Sequence, residues 1–154
     1  MTGDVVLDTR SNERGTMSDW VAAFAEVWKS PRENIDRLLE LLDENVVLKA
    51  PTTPPVSNGT VESRRAFERT FRAMPDLRAE VHRWSAEEDV LFIEMSFTAT
   101  IGGRVVTWRN VDRFLFRNGV AVERIAFFNP SKLRRAFLAN PRGWTQLVRL
   151  RIGA

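Results

Sequence analysis

Few residues in this chain can do acid–base chemistry, and one of them is set apart by its neighbours. In the run Trp108-Arg109-Asn110-Val111-Asp112-Arg113-Phe114-Leu115-Phe116, a strand period of two puts Trp108, Asn110, Asp112, Phe114 and Phe116 on one face. Arg109, Val111, Arg113 and Leu115 then point the other way. If the first face is enclosed, Asp112 sits among aromatic rings, where desolvation favours the neutral, proton-bearing acid. A neutral acid can donate a hydrogen bond to a substrate oxygen, and Asn110 beside it can orient a carbonyl or share the proton. The opposing reading is that Asp112 is charged and tied to a cross-strand arginine, as buried acids usually are paired.

Other chemistries lack material. There is no cysteine and one histidine, which removes disulfides, thiolate nucleophiles and thiolate metal sites and leaves little for a zinc cluster. No cofactor or metal is implied. His82 alternates with Glu80 and Trp84 on a predicted strand, with no carboxylate at orienting distance in the sequence, so a general-base role is disfavoured.

The elements that must position Asp112 can be read from periodicity and turn residues. Ser18 can cap a helix bearing Trp20, Phe24 and Trp28 at four-residue steps, an aromatic stripe that needs covering. Ser30-Pro31-Arg32-Glu33 reads as the start of a second helix with Ile35, Leu38, Leu39 and Leu42 on its apolar face. Val46-Val47-Leu48 predicts a short strand, and the proline-rich stretch 51–55 a turn. Phe67, Phe71 and Met74 mark a third helix ended by Pro75. Four extended runs follow, Leu77–Ser85, Val90–Ile101, Arg104–Phe116 and Val120–Phe128, separated by Glu87-Glu88-Asp89, Gly102-Gly103 and Asn118-Gly119. Such short separators make antiparallel hairpins. Asn129-Pro130 then reads as the cap and first residue of a helix carrying Leu133, Phe137 and Leu138. The expectation is an α+β domain: a curved, mainly antiparallel sheet closing as a cone against N-terminal helices, with a C-terminal helix. Residues 1–17 read as a disordered tail without signal-peptide character, 18–140 as the cone domain and 141–154 as a basic extension.

This order of elements, with the proline-rich loop after the first strand and Val111-Asp112-Arg113-Phe114-Leu115-Phe116 before an Asn-Gly turn, resembles the nuclear transport factor 2-like superfamily. Within it the nearest shapes are the SnoaL-like polyketide cyclases, the ketosteroid isomerases and the limonene epoxide hydrolases. The resemblance implies the cone fold and an apolar pocket. Residue by residue it implies little catalysis. The water-activating positions of the epoxide hydrolases fall at Leu48, Ala50, Met95, Phe97 and Ala126, none of which can activate water. The isomerases need a carboxylate base near Ala50 and a tyrosine, and the chain contains no tyrosine. Asp112 matches the isomerases' protonated donor and the cyclases' acid or base, but the cyclases' histidine is missing.

The resulting expectation is a pocket for a hydrophobic ring compound of the steroid, terpenoid or polyketide kind. Asp112 would be the catalytic acid if there is catalysis, with Trp108, Asn110, Phe114, Met95, Phe97, Phe24 and Trp28 contacting the ligand. The alternative is a non-catalytic interaction module. A homodimer is expected through the outer sheet face, where apolar residues mix with arginines. The net charge is +3, yet beyond Arg124 the side chains include six cations and no acid, which reads as a solvated helix face with cations near its C-terminus. Neither nucleic-acid binding nor membrane insertion is expected, and a cysteine-free chain suits the cytoplasm.

Overall fold

The computed structural model describes residues 5–51 and 56–151, with side chains described from residue 16 onward. They form helices α1 (Val5–Val27), α2 (Ile35–Glu40), α3 (Gly59–Ala73), α4 (Pro130–Leu138) and α5 (Pro141–Arg151). The strands are β1 (Leu42–Lys49), β2 (Val56–Asn58), β3 (Arg78–Glu87), β4 (Val90–Ile101), β5 (Arg104–Arg117) and β6 (Val120–Phe127). One sheet takes them in the order β2-β1-β6-β5-β4-β3. Every neighbouring pair is antiparallel except β1 with β6. The fold is the expected α+β cone.

The meander follows from its turns. Gly102 and Gly103 both have positive φ (61° and 79°), as do Asn118 (52°) and Gly119 (78°). This is the two-residue geometry that suits the twist of a hairpin. The long pairing of β4 with β5 sets Met95 opposite Asn110, Phe97 opposite Trp108 and Ile93 opposite Asp112.

Several boundaries differ from expectation. The stretch 5–17, expected to be a tail, belongs to α1, so Ser18 lies inside the helix and caps nothing. Residues 30–34 form turns rather than the first helical turn: α2 begins at Ile35, and Asn34 Nδ2 donates back to the Ser30 carbonyl (2.8 Å). A proline at position 31 permits either arrangement. Residues 141–151 of the predicted extension form α5, whose Gly143 lies so close to the backbone of α4 that an added Cβ would stand 2.1 Å from the Phe137 carbonyl oxygen. Gln146 bolts this helix down. Its Nε2 donates to the carbonyls of Ala73 (3.0 Å) and Thr100 (2.9 Å), and its Oε1 accepts from the Gly102 amide (2.7 Å).

The core lies between the helices and the concave sheet face. Trp20 stacks on Phe24 (5.1 Å between centroids) and meets Phe114 and Phe116 edge-on, both at 4.9 Å. Such aromatic contacts add to the free energy of burying the rings.

Candidate functional site

The wide end of the cone holds a cavity of about 430 Å³. The sheet contributes Leu48, Phe97, Trp108, Asn110, Arg124 and Ala126. Helix α1's end contributes Trp28, α3 contributes Ala66, Phe67, Arg69 and Thr70, and α4 and α5 close the far side with Leu133, Phe137, Leu147 and Leu150 among others. Trp28 meets Phe97 edge-on at 5.1 Å, and Phe97 stacks on Trp108 at 5.6 Å. These rings give the cavity an aromatic floor.

Alternation along β5 holds: Trp108, Asn110, Asp112, Phe114 and Phe116 are buried, while Arg109 and Val111 are exposed. Of the eight residues proposed from sequence, Trp28, Phe97, Trp108 and Asn110 line the cavity. Phe24, Met95 and Phe114 do not; they are packed core, and Phe24 touches Phe114 at 5.4 Å between ring centroids. Pro-Pro loop residues 52–55 lie outside the described residues.

Asp112 requires the largest correction. It is completely buried and is absent from the cavity wall. Its Oδ2 accepts from Arg124 Nε (2.7 Å), and its Oδ1 accepts from Arg124 Nη2 (3.1 Å) and Asn110 Nδ2 (2.8 Å). A carboxylate gripped by both prongs of a guanidinium is an ion pair, so the neutral donor imagined from its aromatic neighbours is replaced by the cross-strand strut. Arg124 reaches the inner face because of a bulge. The β5–β6 register runs Phe116 opposite Ala121 and then Leu115 opposite Glu123, leaving Val122 extra. An extra residue exchanges the two faces of the strand beyond it, so Glu123 turns outward and Arg124 inward.

Two wall residues each carry a buried side-chain atom without a hydrogen-bond partner, Trp28 Nε1 and Asn110 Oδ1. One is a donor and the other an acceptor. Arg124 uses Nε and Nη2 on Asp112 and keeps Nη1 beyond that pair. Lys49 borders the wall with its ammonium on the outer sheet face, held by Glu123 (2.8 Å), which also takes Arg113 (3.0 Å). The Lys49 hydrogen bond, opposed by burial and aided by the charges of Lys49 and Arg113, holds the Glu123 carboxyl below its usual value.

His82 is elsewhere. It is the extra residue of a bulge in β3, between the Val81–Met95 and Arg83–Glu94 pairs, and its Nε2 shares a hydrogen bond with Ser96 Oγ at 2.7 Å. The bulge also separates its face from that of Trp84, which pairs with Ile93. Asn129 caps α4, its Oδ1 accepting from the Ser131 amide (3.0 Å).

Residues 19–124 match the SnoaL-like domain, and the chain belongs to that family. No match was found among curated proteins. Solved structures share the fold. AclR from Streptomyces galilaeus is similar at 22% identity with a TM-score of 0.63, over 77% of this chain and 93% of that one. A nuclear transport factor 2-like protein of unknown function from Burkholderia pseudomallei reaches 0.70 at 20% identity, over 79% and 96%. TerC, co-crystallized with polyporic acid, reaches 0.71 at 12% identity, over 79% and 97%.

Proposed function

We propose that the cavity binds a small, largely apolar ring compound of the steroid, terpenoid or polyketide type. The observation that carries this reading is a cavity of ligand size whose wall is mostly apolar, with the rings of Trp28, Phe97 and Trp108 packed side by side in it. Covering apolar ligand surface against such a wall removes it from water, which favours binding. The volume of 430 Å³ lies within the usual range of ligand pockets, about 300–1,000 Å³. No carboxylate or histidine is among the described wall residues, so binding is better supported than proton transfer. If a reaction occurs, Arg124 is the group that would steady a developing oxyanion, with Asp112 as the positioning residue behind it.

The test is a melting-temperature screen with steroids, terpenoid epoxides and aromatic polyketides. A binder should raise the melting temperature in proportion to the logarithm of its concentration, and less so for Ala66→Phe, which narrows the cavity. A panel that leaves the wild-type curve unmoved at saturating solubility would sink the proposal. Limonene-type epoxides should not be turned over above background, since Leu48, Ala50, Phe97 and Ala126 make that part of the wall apolar.

A second reading concerns assembly. The outer sheet face carries exposed Phe127 (54%) and Val111 (37%) among the arginine pairs Arg83–Glu94–Arg109 and Lys49–Glu123–Arg113. Exposed apolar side chains with arginines suit a homodimer interface. Light scattering should give twice the chain mass, with Phe127→Arg returning a monomer. The cysteine-free composition supports placing the protein in the reducing cytoplasm.

A further inference from the structure

We infer that the ligand of this cavity is an anion: an aromatic or polycyclic body carrying one acidic group, such as a carboxylate, an acidic enol or a sulfonate. This rests on the binding reading above and adds the charge to it. The ground is the distribution of ionisable side chains around the cavity. Four cationic residues line it besides Lys49, whose ammonium lies on the outer sheet face: Arg69, Arg124, Arg134 and Arg151; among the described residues no carboxylate does.

Arg124 is neutralised from behind by Asp112 (2.7 Å), which is not part of the wall. Arg134 on α4 and Arg151 on α5 form no ion pair with any described residue, and both are exposed. No acidic side chain follows Glu123 in the sequence, so α4 and α5 themselves carry none. The two arginines share the wall with Leu138, Leu147 and Leu150. An apolar recess whose wall is cationic attracts anions over distance and holds them by charge-assisted hydrogen bonds. A neutral ring compound would leave that charge unused, and a cation would be repelled.

The geometry therefore divides the ligand into two parts. Its rings rest among Trp28, Phe97 and Trp108, and its acidic group meets Arg134 and Arg151 where the wall is open to water. The helices that carry these arginines are positioned by contacts remote from them. Asn140 Nδ2 donates to the Gly102 carbonyl (2.7 Å), and Gln146 ties α5 to β4 and the end of α3. Removing the two guanidinium charges thus leaves the cavity standing.

The experiment uses two fluorescent probes with the same ring system, anilinonaphthalene sulfonate, which is anionic, and N-phenylnaphthylamine, which is neutral. Each is titrated against the full chain and against an Arg134→Gln/Arg151→Gln double variant, at low and high salt. The expected result is that the anionic probe binds the wild type about ten- to hundredfold more tightly than the neutral one. That preference should shrink with salt and be lost in the double variant, whose affinity for the neutral probe is unchanged. Equal affinities in the wild type would overturn the anion assignment and leave the binding reading intact. Failure of both probes would remove the binding reading itself, and the inference with it. Ala66→Phe, which fills the cavity from α3, should abolish binding of both; if the anionic probe still binds that variant with its full preference, it sits on the arginine surface and the inference is wrong.

Discussion

The two ends of the concave face are built by the same strands and have opposite fates. At the narrow end Phe114 and Phe116 of β5 are covered by Trp20 and Phe24 of α1, ring on ring, with no space between. At the wide end Trp108 and Asn110, on the same face of the same strand, look into a cavity of about 430 Å³. The difference lies in the cover. One helix with an aromatic stripe seats directly on the narrow end, whereas the wide end is spanned by α3, α4 and α5, which hold one another and the turn at Gly102. Strand alternation decides which residues face inward; the elements opposite decide whether they meet protein or space.

Between the two ends stands the Asp112–Arg124 pair, and breaking it should have the largest effect. Asp112→Leu leaves Arg124 partly buried with its counter-charge gone, and urea unfolding should show a loss of roughly 3–5 kcal/mol. Asp112→Asn should lose nearly as much, because the amide restores neither the charge nor both acceptors. If Asp112→Asn is neutral while ligand affinity falls, the carboxyl is acting on the ligand and the strut assignment fails.

A somewhat smaller loss should follow at Met95, which is completely buried and does not line the cavity. Met95→Ala should destabilise by about 2–5 kcal/mol with no change in probe affinity once the protein is folded. Leu133→Ala, on the cavity wall, should reverse that pattern: little change in stability by the same urea titration, and weaker binding.

Trp28→Phe sharpens the comparison at the border of the two ends. Trp20 Nε1 donates to the Leu41 carbonyl (3.0 Å), so Trp20→Phe should strand that acceptor and cost about 1–3 kcal/mol. Trp28 Nε1 has no partner, so Trp28→Phe should be closer to neutral in a thermal melt.

The smallest effect is that of acid. Asp76 accepts from the amide of Thr100 (3.0 and 3.1 Å) and from its hydroxyl (2.7 Å). Burial raises its carboxyl, but the Thr100 hydrogen bonds and the Arg78 charge outweigh this and hold it below 3.8. Glu123 likewise sits below 4.5. Because both titrate lower in the folded chain than in the unfolded one, their stabilisation is complete above those ordinary values and is lost as the pH falls through the lowered folded ones. Melting temperature should therefore drop below about pH 4. In an Asp76→Asn/Glu123→Gln variant this part of the drop should be absent.

Much of the architecture was legible in the sequence because it depends on local rules. Gly102-Gly103 and Asn118-Gly119 set two hairpins through their positive φ, Asn129-Pro130 began a helix, and the alternation along β5 named the buried face correctly. The aromatic residues Trp28, Phe97 and Trp108 and the amide of Asn110 were found in this way, since inwardness is a property of spacing.

What the sequence could not supply were the places where one residue shifts the register and where distant segments meet. A hairpin counted straight back from Asn118-Gly119 sets Glu123 opposite Phe114, facing in. The extra Val122 brings in Arg124 instead, and with it the guanidinium that grips Asp112. No residue type announces a bulge there; it is decided by how β6 must bend to run beside β1 on one side and β5 on the other. Likewise, the chain beyond residue 140 reads only as basic sequence, and its role as a cavity wall depends on Gly143 packing on Phe137 and Gln146 reaching Ala73 and Thr100. Local chemistry determined the strands, the turns and the inward faces; tertiary contact alone decided which inward groups were packed against protein and which border the cavity.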